Sequence, residues 1–130
     1  MKRDEKRTRR LVAERSGGLC ERCGMQGHTA HHRKNRGQGG PWSPSNIVWL
    51  CGDGVRGCHG WVTEHPEAAR VSGFHVPWWD TPVVIPVHST LHGVVFLADD
   101  GSLVAAPAPV APLSSTLRAD LDLTAEEATS

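Results

Sequence analysis

The sequence predicts a small α+β fold stapled by its cysteines, followed by a β-hairpin and a disordered tail. Four cysteines stand in two local pairs, Cys20/Cys23 and Cys51/Cys58, with none left over. Only two Phe and no Tyr are found in 130 residues rich in Gly and Pro. A chain of that size buries little apolar surface and usually needs a metal or disulfides to hold it. Short apolar runs bounded by Gly and Pro share the chain with stretches of helical character.

Residues 1–16 are charged and free of Gly and Pro, and read as a basic arm or helix that Gly17-Gly18 ends. Residues 17–75 form the expected functional domain. Within it Leu19 to Gly24 is a metal-knuckle turn, and Thr29 to Lys34 is a short strand. Arg36 to Pro44 is a loop on every local signal. Ile47-Val48-Trp49-Leu50 is the most strand-like run, and Gly52 to Gly57 is an irregular turn. A helix starts near Cys58; Pro66 interrupts it or opens a second helical turn through Arg70, and Gly73 is a stop. Residues 76–106 carry Val83–Val87 and Gly93–Leu97 as a hairpin pair, and the turn Asp99-Asp100-Gly101 leads to a third strand, Ser102–Ala105. Residues 107–130, Ala/Pro/Ser-rich and then acidic, read as disordered, with at most one helical turn around Leu117–Leu123.

The net charge of zero hides an asymmetry. Residues 1–40 carry eleven Lys/Arg against four acids, and residues 41–130 carry three against ten. A polyanion is therefore drawn to the N-terminal half, which also holds the first cysteine pair and the double histidine His31-His32. The commoner reading of such a run is a solvated face; the colocalisation favours nucleic acid as partner. No apolar stretch follows the basic start and no run approaches membrane-spanning length, so the expectation is a cytoplasmic protein without a membrane partner. In a reducing compartment, paired cysteines more often hold metal than form disulfides.

Cys20-x2-Cys23 offers two thiolates on one turn, a suitable bite for one zinc ion. The second pair, Cys51-x6-Cys58, is wider, but Gly52, Gly54 and Gly57 let its turn bulge outward without parting the sulfurs. Four usable cysteines favour a four-thiolate structural site. The competing arrangement uses the first pair alone, completed by a histidine such as His28. Of the eight histidines, His28, His75, His88 and His92 default to surface or satisfied side chains. His31 and His32 differ because they are adjacent between the knuckle and a Gly-rich loop. Successive strand residues face opposite ways, so one can ligate a divalent metal while the other works as general base. One step along a helix turns about 100°, so Cys58 can face the zinc while His59 faces another cavity. Asn46 reads either as a turn residue or as an amide that orients an imidazole or helps fill a metal shell; its place between the histidine pair and Cys58-His59 favours the functional role.

His31-His32-Arg33-Lys34, the Gly-rich loop, Asn46-Ile-Val-Trp-Leu-Cys51 and Cys58-His59 together resemble the HNH endonucleases, the ββα-metal fold in its four-cysteine zinc subgroup. The stretch Cys58-His-Gly-Trp-Val-Thr-Glu-His-Pro-Glu-Ala-Ala further resembles small HNH proteins encoded by bacteriophages. The match covers about residues 15–75. It implies a ββα-metal (HNH) core, with His31 and His59 as ligands of a catalytic Mg2+ or other divalent cation, His32 as general base and Asn46 as its orienting residue. It implies structural zinc on Cys20, Cys23, Cys51 and Cys58. Thr63 stands where some relatives carry a further ligand, which leaves His65 as a weak third ligand of the catalytic ion. Arg33, Lys34 and Arg36 are placed to hold flanking phosphates.

The implied activity is metal-assisted phosphodiester hydrolysis of DNA. The alternatives are a non-catalytic zinc ribbon that binds nucleic acid through the basic arm and, by family analogy, an accessory factor acting with phage DNA-packaging proteins. The His-His, Asn, Cys-His set discriminates, since a ribbon has no need of it.

Overall fold

A computed structural model describes residues 2–107; the expected acidic tail beyond them, with its helical turn, lies outside the described residues. The basic N-terminal segment is a helix, α1, Arg3–Ser16. Asp4 and Glu5 sit in its first turn and Arg15 in its last, each complementing the helix dipole. Gly17 ends it in the left-handed conformation, φ 64°, returning its N–H to the Ala13 carbonyl. The buried stripe is Thr8, Val12 and Ser16, four residues apart each time. Most of the helix is therefore free to display charge.

Strands β1 (Thr29–His32) and β2 (Ile47–Leu50) pair antiparallel, with His31 opposite Val48 and His32 opposite Ile47. The sequence places β2 correctly; β1 stops two residues before Lys34, where the chain leaves the ladder. A 3-10 turn at Arg36–Gln38, with Asn35 accepting from the Gly37 N–H, opens the long connection. Helix α2 (Gly57–Glu64) follows, and Pro66 begins a separate helix, α3 (Pro66–Val71). A prolyl ring suits the first helical position and cannot continue α2, so of the two readings of Pro66 the second holds.

The second sheet is a meander of β3 (Val87–Ser89), β4 (Gly93–Leu97) and β5 (Leu103–Ala105). The first strand of this hairpin begins four residues later than expected. Pro82–Val84 is instead a 3-10 turn, and Pro86, lacking an N–H, cannot donate within the proposed Val83–Val87 strand. Val48 and Leu50 of β2, Val62 of α2, and Val87, Val95 and Leu97 of the second sheet share one hydrophobic cluster with Cys20 and Cys58. The cysteine frame and the C-terminal sheet are thus two sides of the same core. Trp78 and Trp79 contribute nothing to it: they are 62% and 61% exposed.

Two buried charged side chains tie these pieces together. Arg15 donates to both carboxylate oxygens of Glu21 (2.7 and 2.8 Å) and to the carbonyls of Pro44 and Ile47. Glu21 also accepts from the Trp49 N–H and pairs with His92, so its carboxylate spans α1, β2 and the second sheet. Burial alone would raise its pKa, but the donors from His92 and Arg15 outweigh it and hold the carboxyl below its usual range.

Candidate metal centres and nucleic-acid interface

The four cysteine sulfurs converge, all within 4.8 Å of one another. All four are free thiols, and the Cys23 and Cys51 sulfurs stand 3.8 Å apart. A tetrahedral ion with Zn–S bonds of about 2.3 Å has sulfur–sulfur edges of about 3.8 Å, so the cage fits zinc. His28 takes no part, accepting instead from the Gly52 N–H. The wide second turn works as a bulge. Asp53 accepts from the N–H groups of Val55 and Arg56, while Gly52 (φ 80°) and Gly57 (φ 65°) let the chain leave and return beside itself. The Cys20 sulfur accepts from the Cys23 N–H and the Cys51 sulfur from the Cys58 N–H. Burial pushes the Cys58 thiol up to about 12, with the Arg22 guanidinium, 3.2 Å from its sulfur, pulling the other way. Arg22 also lies over the Trp61 ring, 3.7 Å from its centroid. A cation next to a cage of thiolates is what an anionic zinc site requires.

On the other side of Cys58 a second, smaller constellation forms. His31 of β1 and His59 of α2 bring their rings to a centroid distance of 5.2 Å at an interplanar angle of 65°. Two imidazoles sharing one ion through bonds of about 2.1 Å keep their centroids about 5 Å apart. Each ring is held by its other nitrogen. The Nε2 of His31 lies 2.9 Å from the Phe74 carbonyl, which can only accept, so Nε2 carries the proton and Nδ1 is left with its lone pair. The Nδ1 of His59 is 2.9 Å from the Thr29 hydroxyl, which also reaches the carbonyls of Gly52 (3.3 Å) and Leu50 (3.4 Å). With the hydroxyl proton on a carbonyl, His59 would donate from Nδ1 and keep Nε2 as its ligand atom. Burial, reinforced by the neighbouring His59, His32 and His75, lowers the His31 pKa to about 4 against the pull of the Phe74 carbonyl. Burial lowers that of His59 as well. Both rings are neutral at neutral pH, the state in which imidazole ligates metal.

His32 takes the opposite face of β1, as strand alternation requires. Its ring meets the Trp42 ring edge-on at 4.6 Å, and its Nε2 is buried without a partner among the described residues, as is the Trp42 indole nitrogen. Burial first, and the Arg36 charge second, lower its pKa to about 4. Arg9 of α1 lies over the outer part of the same indole, 4.9 Å from its centroid, and the Thr8 hydroxyl donates to the Trp42 carbonyl.

Asn46 is fully buried but makes no hydrogen bond to an imidazole among the described residues. Its Oδ1 accepts from the Lys34 N–H at 2.7 Å, and its Nδ2 donates to the carbonyls of Lys34 and Pro41, both at 3.1 Å. It pins the two ends of the loop that follows His32. The expected direct bond to the base is replaced by control of the backbone two residues beyond it.

One further sequence expectation fails here. Arg33 is not a phosphate ligand: it is 0% exposed, and its guanidinium donates to the carbonyls of Gly73, Ser45, Pro82 and Ile85. Burial lowers its pKa to about 9, which leaves it charged at neutral pH. His65 stands at the C-cap of α2, with its Nδ1 3.0 Å from the Trp61 carbonyl and its ring stacked on the Trp61 ring. Arg36 remains exposed, and Lys34 is half-buried, with its ammonium 3.0 Å from the Asp80 carbonyl. Arg3, Lys6, Arg7 and Arg10 of α1 are exposed beside them in the sequence-basic half.

Thr29, the Phe74 carbonyl, Arg22 and His75 were not singled out by sequence. Only Thr29 had a usable signal: it stands two residues before His31 on the same strand, hence on the same face. Comparison with protein-family models, with curated proteins and with solved structures finds no match to this chain.

Proposed function

We propose that the protein is a metal-dependent DNA endonuclease of the HNH type, with His31 and His59 as ligands of a catalytic divalent cation and His32 as general base. The observation that carries this reading is the His31–His59 pair, whose rings approach to 5.2 Å with one nitrogen of each tied to oxygen and the other free. Second-sphere partners that fix tautomer and ring orientation are the usual company of metal-binding histidines. The antiparallel pair β1–β2, followed by α2 carrying Cys58 and His59, is the arrangement that a ββα-metal core requires. The zinc cage supports it by fixing the start of α2 against the knuckle, since Cys58 and His59 are consecutive.

A divalent cation on His31 and His59 would supply positive charge to a phosphate oxygen and to the leaving 3′ oxygen. The chain's own residues do the rest. His32, neutral in the physiological range, would take the proton of the attacking water at Nε2, the nitrogen that has no partner among the described residues. That role requires Trp42 to yield the edge it holds against the ring. Asn46 keeps the backbone beyond His32 in place through Lys34, and Arg36 and Lys34 offer positive charge to flanking phosphates.

The rival, a non-catalytic zinc ribbon binding DNA through α1, draws on one observation: His32 lies on the other face of β1 from the His31–His59 pair, beneath Trp42. One experiment separates the two. Purified protein should nick plasmid DNA with Mg2+, Mn2+ or Ni2+, while His32→Ala and His59→Ala, folded and with zinc content unchanged, should not. If the wild type is inactive with every ion, yet it and His32→Ala bind DNA equally, the ribbon reading replaces the nuclease.

A further inference from the structure

An open cavity of about 180 Å³ is lined by Gln38, Glu67, Arg70, His75, Trp78 and Trp79 among others, and its His75 directly follows Phe74, whose carbonyl meets His31. That volume is below the range of drug-sized ligand sites and suits a single planar ring system. Two tryptophans 62% and 61% exposed are unusual surface residues, and here they are not loose. Their rings meet at 89° with centroids 5.8 Å apart, forming a right-angled corner. The backbone carrying them is pinned at both ends. On one side the Val76 N–H donates to the Arg33 carbonyl at 2.8 Å; on the other the Lys34 ammonium donates to the Asp80 carbonyl, and the Asp80 N–H closes a turn onto Pro77. The same segment supplies the Phe74 carbonyl that orients His31. The corner thus belongs to a segment hydrogen-bonded to His31 and to the residue that follows β1.

We propose that this corner binds an unpaired nucleobase, so that the substrate is DNA with a single-stranded or opened segment next to the cut. The proposal rests on the nuclease reading for the cut and on its own geometry for the base. One indole offers a face for stacking and the other a wall at right angles to it. Base–aromatic stacking tolerates any base and needs a free ring face, which a paired and stacked duplex does not present. Polar groups stand around the rings: the Gln38 amide, His75, and the Arg70–Glu67 pair at 2.7 Å supply donors and acceptors for a base edge or its phosphate. A protein ligand would be met by the same aromatic surface, but Arg70 lines the cavity, the Lys34 ammonium sits on the Asp80 carbonyl next to Trp79, and exposed Arg36 stands two residues before Gln38, which favours an anionic strand.

The test uses the full zinc-loaded chain and the variants Trp78→Ala, Trp79→Ala and the double substitution. These rings lie outside the core, so unchanged circular dichroism and zinc content are expected. Anisotropy of a labelled oligothymidylate should show about tenfold or greater loss of affinity in the double variant, with affinity for a blunt duplex unchanged. With Mg2+ or Mn2+, the wild type should cleave a gapped duplex in preference to a fully paired one, and the double variant should lose that preference. Wild-type affinity for the oligothymidylate in the double variant, or an equal loss for duplex and single strand, overturns the proposal even if cleavage continues. Tryptophan-dependent oligothymidylate binding without any cleavage leaves the base site standing and removes the nuclease reading instead.

Discussion

Replacing Arg33 tests whether this basic residue belongs to the fold or to the ligand. Its guanidinium donates to four carbonyls, at 2.7 Å to Gly73, 2.6 Å to Ser45, 3.2 Å to Pro82 and 2.6 Å to Ile85. These acceptors come from the end of the α3 turn, the approach to β2 and the segment before β3, and the side chain has no solvent exposure. Arg33→Met keeps the apolar stem and removes every donor. Each buried carbonyl left unpaired costs about 1–3 kcal/mol; with some relaxation, a total of about 4 kcal/mol is expected. That is a large share of the roughly 5–15 kcal/mol that stabilises a typical domain. For a domain of this size it lowers Tm by about 15 °C or more. Arg33→Lys should recover little, because an ammonium is a point donor and cannot span four acceptors. The assay is urea denaturation followed by circular dichroism, with zinc in excess, alongside DNA affinity as a function of salt. A phosphate ligand would behave differently: stability within about 0.5 kcal/mol of wild type and a salt slope reduced by about one. Arg33→Met showing that second pattern would refute the structural assignment; exposed Arg36, changed to Ala, is expected to show it.

Metal removal should unfold the domain rather than merely inactivate it, because Cys20 and Cys58 sit inside the hydrophobic cluster and the cage joins the knuckle to α2. Chelation at neutral pH should abolish the far-ultraviolet signal of the helices in proportion to zinc released, and added zinc should restore it; retention of the full signal in zinc-free protein would contradict this. Thr29→Val removes the hydroxyl 2.9 Å from the His59 Nδ1 while preserving strand shape. On the proposed nuclease reading, affinity for the divalent ion at His31 and His59 should fall about 10–100-fold, read as the Mn2+ concentration giving half-maximal nicking, with zinc stoichiometry unchanged.

Much of the local structure was legible from neighbouring residues alone. Gly17 ends α1, Pro66 opens α3 and Gly73 follows its end because these residues act through their own backbone torsions, which depend little on context. The β2 run Ile47–Leu50 was equally plain. So was the separation of His31 from His32, since strand alternation puts them on opposite faces whatever surrounds them. Pro86 carried a signal of the same kind, and the expected Val83–Val87 strand ignored it.

The fate of charged and aromatic side chains was decided elsewhere. Arg33 reads as one of a basic run, and nothing within several residues of it marks it for burial. Its acceptors lie 12 to 52 residues away in sequence and meet only when both sheets close on the same core. The same holds for His31, whose orienting carbonyl is 43 residues distant. By itself, the sequence determined which cysteines could form a cage and which histidine shares a helix turn with it. Tertiary structure alone decided which cations face solvent, which nitrogens keep a free lone pair and which tryptophans stay uncovered. Spacing fixes angles along a strand or helix, whereas desolvation and hydrogen-bond satisfaction depend on atoms that the chain brings together from far apart.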